Sequence, residues 1–403
     1  MTATATIATK PEKIVSTRIQ SIDLLRGIVM IIMALDHVRD YFHADAFLYN
    51  PVDLSKTSVS LFATRWVTHF CAPVFVFLAG TSAFLVGSRK GKADLSSFLL
   101  KRGLWLIVLE FTIINFSWFF NIQFSLIAMT VIWALAIGMI LLAAAIHLPY
   151  KAVFALGLLL VAGHNLLDNV HLEGNGAGAI GWALLHEFKG FALGHFFLFI
   201  GYPILPWTGV MLLGYCFGKL YLPSADSETR KKTVLWTGVS MVAAFLVIRF
   251  INSYGDPFPW SAQQNGAYTF LSFMNVTKYP PSLLYILITL GPAFIFLALS
   301  EKLTGKLAQY VIALGRVPMF YYIIHLYLIH IVALIAALAT GYEVSDMVFN
   351  TWVTDSPNLK GYGFSLGVTY LVWIGIVLSL YPLCLWYDRY KTAHREKWWL
   401  SYL

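Results

Sequence analysis

The chain has 403 residues, of which 59% are hydrophobic and only 12% charged. A soluble surface needs about a quarter of residues charged, so these proportions exclude an ordinary soluble domain. The net charge of +8 does not indicate nucleic-acid binding, because the basic residues fall in short clusters between apolar runs, the arrangement that orients membrane proteins.

The first 18 residues, MTATATIATKPEKIVSTR, are polar and precede a long apolar run. No small-residue cleavage site follows that run, which predicts a retained first span rather than a signal peptide. Apolar stretches of membrane-crossing length then recur at 20–42, 64–87, 98–120, 123–146, 149–166, 195–221, 233–253, 279–300, 316–340 and 363–388. The fifth is short, and the sixth is broken by Pro203 and Pro206. The expected fold is therefore all-α: a polytopic transmembrane bundle of about ten spans over 20–390. Cytoplasmic tails are expected at 1–19 and 391–403.

With the N-terminus inside, about 20 of the 28 Lys and Arg residues fall on inner segments, among them Lys10, Lys13, Arg18, Lys90, Arg102, Lys232 and Arg395. About seven fall outside, among them Arg39, Arg65, Arg249 and Lys278. Both termini are then cytoplasmic. Cys71, Cys216 and Cys384 sit in apolar segments without a spacing pattern and read as buried small hydrophobes. No internal repeat suggests the inverted halves of a transporter.

Charges inside spans are costly and tend to face a wet cavity or the bundle interior. The first span, SIDLLRGIVMIIMALDHVRDYFH, carries several. At about 100° per residue, Asp23, Arg26, His37 and Asp40 fall on one stripe with Met30 and Met33 between them, and Arg39 points nearly opposite. His37 lies about 16 Å beyond Arg26, at the depth expected for His69 in the second span. Two imidazoles at one level form a candidate acid–base pair, with Asp36 or Asp40 to orient a ring. A metal there needs more ligands, and no metal-binding spacing is present, so no metal is expected. Asp23 and Arg26 also read as an internal salt bridge one turn apart.

Glu110 and Asn115 read as structural polar groups, with Arg26 an available partner for Glu110. His325 lies nearer the inner side of the ninth span, either lining a cytosolic cavity or packed in the core. Gly315-Arg316-Val317-Pro318 opens that span. It is capping grammar with the means to hold a phosphate. Lys278 and Tyr279 stand at the outer mouth of the eighth span, where Lys278 either snorkels or meets an acceptor. The loop near 166–194 carries His164, Asp168, His171, His186 and Glu187, residues that suit a sugar-like ligand or an ordinary solvated loop.

Several segments resemble the bacterial membrane proteins related to heparan-α-glucosaminide N-acetyltransferase. They are RIQSIDLLRG, the Asp36-His37 pair, THFCAPVFVFLAG, KRGLWLIVLE, YPILPWTGVMLLGY, NVTKYPPSLLY, LGRVPMFYYIIHLYLIH and the terminal WWLSYL. The resemblance covers essentially the whole chain. It implies transfer of an acetyl group from cytosolic acetyl-CoA to an acceptor across the membrane, the lysosomal relative acting on a terminal glucosamine amine. The Asp23-x-x-Arg26-Gly27 start with His37 also resembles the opening span of bacterial O-acyltransferases that modify surface polysaccharides. That likeness implies an essential role for His37. The position matching His37 is an Asn in the lysosomal enzyme, whose active histidine lies in the first outer loop, where this chain has His43. The catalytic histidine is thus open among His37, His69 and His43.

The expectation is an acyl-CoA-dependent acyltransferase of a bacterial inner membrane. His37, His69, Asp36 and Asp40 are its catalytic candidates. Asp23, Arg26, Arg316 and His325 are placed with acetyl-CoA. His43, Lys278 and Tyr279 are placed with a carbohydrate or glycoconjugate acceptor. Other expected partners are the lipid bilayer and a second copy in a homodimer. The rival expectation is a proton-coupled transporter or exporter of a small solute or lipid-linked sugar.

Overall fold

The computed structural model describes residues 19–401 apart from 304 and 395. The N-terminal tail with Lys10, Lys13 and Arg18, and Arg395 near the other end, lie outside the described residues. In chain order the first helices are α1 (Gln20–Phe42), α2 (Val59–Val67), α3 (Cys71–Gly87), α4 (Lys92–Leu109) and α5 (Asn115–Phe119). A π-turn over Glu110–Ile114 joins α4 to α5. Strand β1 (Leu126–Met129) leads into α6 (Val131–Ala145), α7 (Tyr150–Gly163) and α8 (Ala177–Leu185). Strands β2 (Lys189–Leu193) and β3 (Phe196–Ile200) precede α9 (Ile204–Phe217), α10 (Ser227–Ile251) and α11 (Gly266–Met274). The chain closes with α12 (Leu283–Ser300), α13 (Lys306–Gly315), α14 (Pro318–Ala339) and α15 (Leu366–Ala393).

The fold is all-α in class, with one small sheet that hydropathy did not foretell. The fourth and sixth apolar stretches both begin as strands, because a short buried strand and a buried helix share the same apolar composition. Phe120 and Phe124 at positive φ break the helix before β1, and Gly194 at φ 64° turns β2 back into β3. β3 is central, parallel to β1 and antiparallel to β2. The outer edge of β1 is closed by a side chain: the Asn115 amide donates to the Ala128 carbonyl at 2.9 Å and accepts the Ala128 N–H at 2.7 Å. Glu110 accepts the N–H of Thr130. The partner of this carboxylate is therefore backbone rather than Arg26, the correction to the ion pair anticipated above.

Six helical runs among the described residues are long and apolar enough to cross a bilayer. They are Val59–Gly87, Tyr150–Leu167, Ser227–Ile251, Leu283–Ser300, Pro318–Ala339 and Leu366–Ala393. α1 spans 23 residues, about 35 Å at 1.5 Å per residue, but carries Asp23, Arg26, Asp36, Arg39 and Asp40. α6 and α9 are apolar and shorter. α12 is largely buried and stands inside the bundle. α10 and α15 expose Trp236, Phe250, Leu371 and Leu378, large apolar faces suited to lipid tails.

Two close helix crossings fix the frame. A Cβ on Gly27 would lie 2.0 Å from the Val311 carbonyl oxygen, and one on Gly315 would lie 1.9 Å from that of Asp23. α1 and α13 thus meet backbone to backbone, which only glycine allows. Gly80 of α3 and Gly214 of α9 make the same kind of contact. The first crossing sets Arg316, just past α13, beside Asp23 and Arg26.

Candidate active site

α1 runs past two charged clusters, one at each end. At its start Arg26 lies 3.4 Å from the Asp23 carboxylate, and Arg26 also donates to the Ser82 hydroxyl at 2.5 Å and the Leu78 carbonyl at 3.3 Å. Arg316 approaches Asp23 at 4.0 Å and Asp388 of α15 at 3.3 Å. The Asp23–Arg26 pair is thus part of a four-residue set. Above it opens a cavity of about 280 Å³. Arg26, Arg102, Arg316 and Lys391 line it with cations, and Met30, Met33, Phe75, Leu99 and Met139 give it apolar walls. Met30 and Met33 follow Arg26 on the stripe that periodicity marked out.

Tyr322 lines this cavity, and its ring centre lies 6.3 Å from that of His37 and 5.5 Å from that of His325. Both histidines are buried. His37 Nδ1 meets His325 Nε2 at 2.7 Å, with the rings stacked at 4.9 Å. His325 Nδ1 lies 2.9 Å from the Tyr321 carbonyl. A carbonyl only accepts, so His325 carries its proton on Nδ1, and in the neutral ring Nε2 is then the acceptor. His37 must therefore donate from Nδ1, which leaves its own Nε2 as a bare lone pair. This tautomer is assigned from the hydrogen-bond partners. Trp118 packs edge-on against His37 at 4.8 Å and fixes the ring plane.

The histidine that pairs with His37 is therefore His325, and not His69 at the same depth. His69 is buried, its ring is 5.3 Å from Tyr285, and its carbonyl accepts the Tyr285 hydroxyl at 2.7 Å. Its Nδ1 has no hydrogen-bond partner among the described residues. Equal depth on two helices does not bring equal facing. Neither Asp36 nor Asp40 bonds an imidazole, which corrects the expectation that one of them orients His37. Asp36 accepts from Arg65 at 2.7 and 2.8 Å and from Thr68 at 2.9 Å. Arg39 stands 2.9 Å from it and Lys278 3.7 Å. Asp40 pairs with Arg39 at 2.5 Å. Three cations thus face two carboxylates in a buried cluster, which leaves one positive charge in excess.

Of the remaining candidates, Tyr279 stacks on Phe188 at 5.1 Å and lies 5.4 Å from Tyr202. Lys278 sits 5.1 Å over its ring. The segment is held by Asp256, which accepts from the Thr277 N–H and hydroxyl and from the Ser282 hydroxyl at 2.7–2.9 Å. His43 is apart from these groups in its bonding: Nδ1 lies 3.1 Å from the Phe364 carbonyl and Nε2 3.5 Å from Asp45. Sequence reasoning passed over Arg65, Arg39 and Thr68 as parts of the Asp36 cluster. Only the four-residue step from Arg65 to His69 in RWVTH hinted at them.

A protein-family model described as heparan-alpha-glucosaminide N-acetyltransferase, catalytic, matches residues 18–250. No curated protein matches the chain. The matched segment holds α1 to α9 and nearly all of α10, and so carries Arg26, Asp36, His37, Arg65 and His69. Lys278, Arg316 and His325 lie beyond it and join the site through the fold. The match covers more than half of the chain, and with six bilayer-length apolar helices it makes this an integral membrane protein that belongs to the heparan-alpha-glucosaminide N-acetyltransferase catalytic family, a family of acetyltransferases.

Proposed function

We propose that the protein moves an acetyl or other short acyl group from cytosolic acyl-CoA to a sugar-like hydroxyl or amine on the outer side of a bacterial inner membrane. In this reading the bundle has about ten spans, and both termini are cytoplasmic, as the Lys and Arg bias requires. The observation that carries the proposal is the cavity: cations at one end, an apolar shaft, and Tyr322 at the junction with the histidine pair. Phosphates suit Arg26, Arg102, Arg316 and Lys391. Methionine walls suit a flexible, partly apolar arm ending in a thioester.

His37 Nε2 takes the proton from the acceptor's O–H or N–H as that atom attacks the thioester carbonyl. The C–S bond breaks, and the CoA thiolate leaves with that proton. His325 holds the His37 tautomer and stabilises the ring as it becomes charged, as the orienting member of a triad does. The excess positive charge beside Asp36, carried by Lys278 at the longest distance, favours the developing oxyanion. A shared role for His69 and an acyl-histidine route through His37 Nε2 are variants of the same chemistry.

The test is a thermal-shift titration of detergent-purified protein with acetyl-CoA, CoA and ATP. A ligand at a hundred times its Kd stabilises by about 2.7 kcal/mol. Stabilisation by acetyl-CoA and CoA but not ATP supports the donor site. No shift with any acyl-CoA, together with solute flux in proteoliposomes, would instead favour the proton-coupled transporter. Membranes of His37→Ala and His69→Ala that both keep full transfer would sink the catalytic assignment.

A further inference from the structure

A second cluster lies outside the donor cavity and the histidine pair. α7 ends at Gly163, and a 3-10 turn over His164–Leu167 extends it. His164 opens this turn and Asp168 caps it. His186 follows directly on α8, which is anchored by its own small core: Ala179 and Ala183 pack on Phe191, Leu198 and Ile200 of the sheet. One ligand atom from each of His164, Asp168 and His186 lies within 4.8 Å of the other two. His186 Nε2 is 3.2 Å from an Asp168 oxygen, and the two imidazole rings stand 5.3 Å apart at 73°.

This cluster is not satisfied by protein groups. His164 and His186 are each 3% exposed. Neither ring nitrogen of His164, nor Nδ1 of His186, has a hydrogen-bond partner among the described residues. The Pro281 carbonyl approaches His164 outside hydrogen-bonding geometry. A buried imidazole with both nitrogens unmet is costly. An Asp168–His186 pair alone would leave His164 in that condition.

We propose that His164, Asp168 and His186 bind a divalent transition-metal ion of the zinc class, with water as the fourth ligand. Two imidazoles and a carboxylate form an established donor set for zinc, whereas calcium and magnesium take oxygen ligands. Ligand atoms around zinc sit about 3.4 Å apart for bonds of about 2.1 Å, so small rotations of the two rings close the set. The surroundings already supply an orienting shell: the Asn165 amide donates to the other Asp168 oxygen at 2.7 Å and accepts the Leu283 N–H at 2.9 Å. The ion would clip the end of α7 to the end of α8. Two residues beyond His186, Phe188 stacks on Tyr279, so the clip would stiffen the loop against the mouth where the acceptor is proposed to arrive.

The experiment uses full-length protein in detergent with any affinity tag removed. Elemental analysis should find about one zinc per chain. After chelation, added Co²⁺ should give intense visible bands of a low-coordinate nitrogen–oxygen site, displaced stoichiometrically by Zn²⁺. His164→Ala and His186→Ala should each weaken Co²⁺ binding by more than the about 10–100-fold that loss of an outer-shell partner costs. His171→Ala, an exposed neighbour bonded to Glu187, should leave it unchanged. Should either alanine variant fail to fold, the wild-type spectrum and Asp168→Asn decide. A wild-type protein without substoichiometric Co²⁺ bands, or variants that bind as well as the parent, would overturn the proposal. No step uses acetyl-CoA, so the result stands or falls apart from the acyltransfer reading.

Discussion

Replacing His325 separates its two conceivable roles. In His325→Gln the side-chain oxygen can still accept from His37 Nδ1, so the lone pair stays on His37 Nε2. In His325→Leu no acceptor remains. The His37 N–H is then buried unmet, at a cost of about 1–3 kcal/mol, and the ring is free to take the other tautomer, whose Nε2 cannot act as a base. General-base catalysis is worth about 10²–10⁴-fold, so kcat for His325→Leu should fall by that factor, about 3–5 kcal/mol in the barrier. His325 does not line the cavity, so KM for acetyl-CoA should stay near wild type. His325→Gln should keep much more of kcat than His325→Leu. The assay is CoA release by purified enzyme with a glucosamine-terminated or other acceptor that supports wild-type turnover. A His325→Leu enzyme with unchanged kcat and a raised KM for acetyl-CoA would refute the tautomer argument and place His325 with the donor instead.

Three further outcomes follow from packing and charge. Asp36→Asn removes the carboxylate shared by Arg39, Arg65 and Lys278 and should cost about 3–5 kcal/mol, read as a lower melting temperature. Adding Lys278→Met should restore part of it, and additive losses would refute the coupling. Gly315→Ala forces a methyl against the Asp23 backbone and should destabilise by about 1–3 kcal/mol. It should also weaken acetyl-CoA binding, and a wild-type thermal-shift response would count against the close crossing. Asp256→Ala releases Thr277 and Ser282 and should raise KM for the acceptor by a factor equivalent to about 1–3 kcal/mol, with KM for acetyl-CoA unchanged. The opposite split would mean that Lys278 does not serve the acceptor side.

Local features were legible in the sequence, and pairings across the bundle were not. The first helix and its bounds emerged from hydropathy alone, and the 3.6-residue period placed Arg26, Met30 and Met33 on the face that lines the cavity. The same wheel set Arg39 aside because it pointed away. That inference assumes one wet face, whereas the C-terminal end of α1 is buried on nearly every side and Arg39 is 3% exposed. His37 and His325 are 288 positions apart, and nothing local to either marks the other. His325 could be seen as a buried histidine but not as a partner. β1 and β3 were hidden inside apolar stretches and read as the starts of helices, and β2 fell in the segment near 166–194 that read as a loop.

The arrangement along α1 bears on a problem that the proposed transfer across a membrane must solve. A charged donor and a polar acceptor have to meet at one atom without a continuous water path between the two sides. Positive charge lines the cavity at Arg26, and the cations around Asp36 outnumber the carboxylates. Arg26 and His37 are separated by eleven helical residues, about 16 Å. Between the clusters lie methionines, Tyr322 and two buried imidazoles that share one proton-transfer axis. In the proposed reaction the cations at the Arg26 end suit the donor's phosphates, and the stretch between the two clusters is lined by apolar and neutral polar side chains. In that reaction a single residue, His37, would serve both substrates. Its ring is held by a hydrogen bond and stacking from His325 and by an edge-on tryptophan, the fixed orientation that the proposed general base needs.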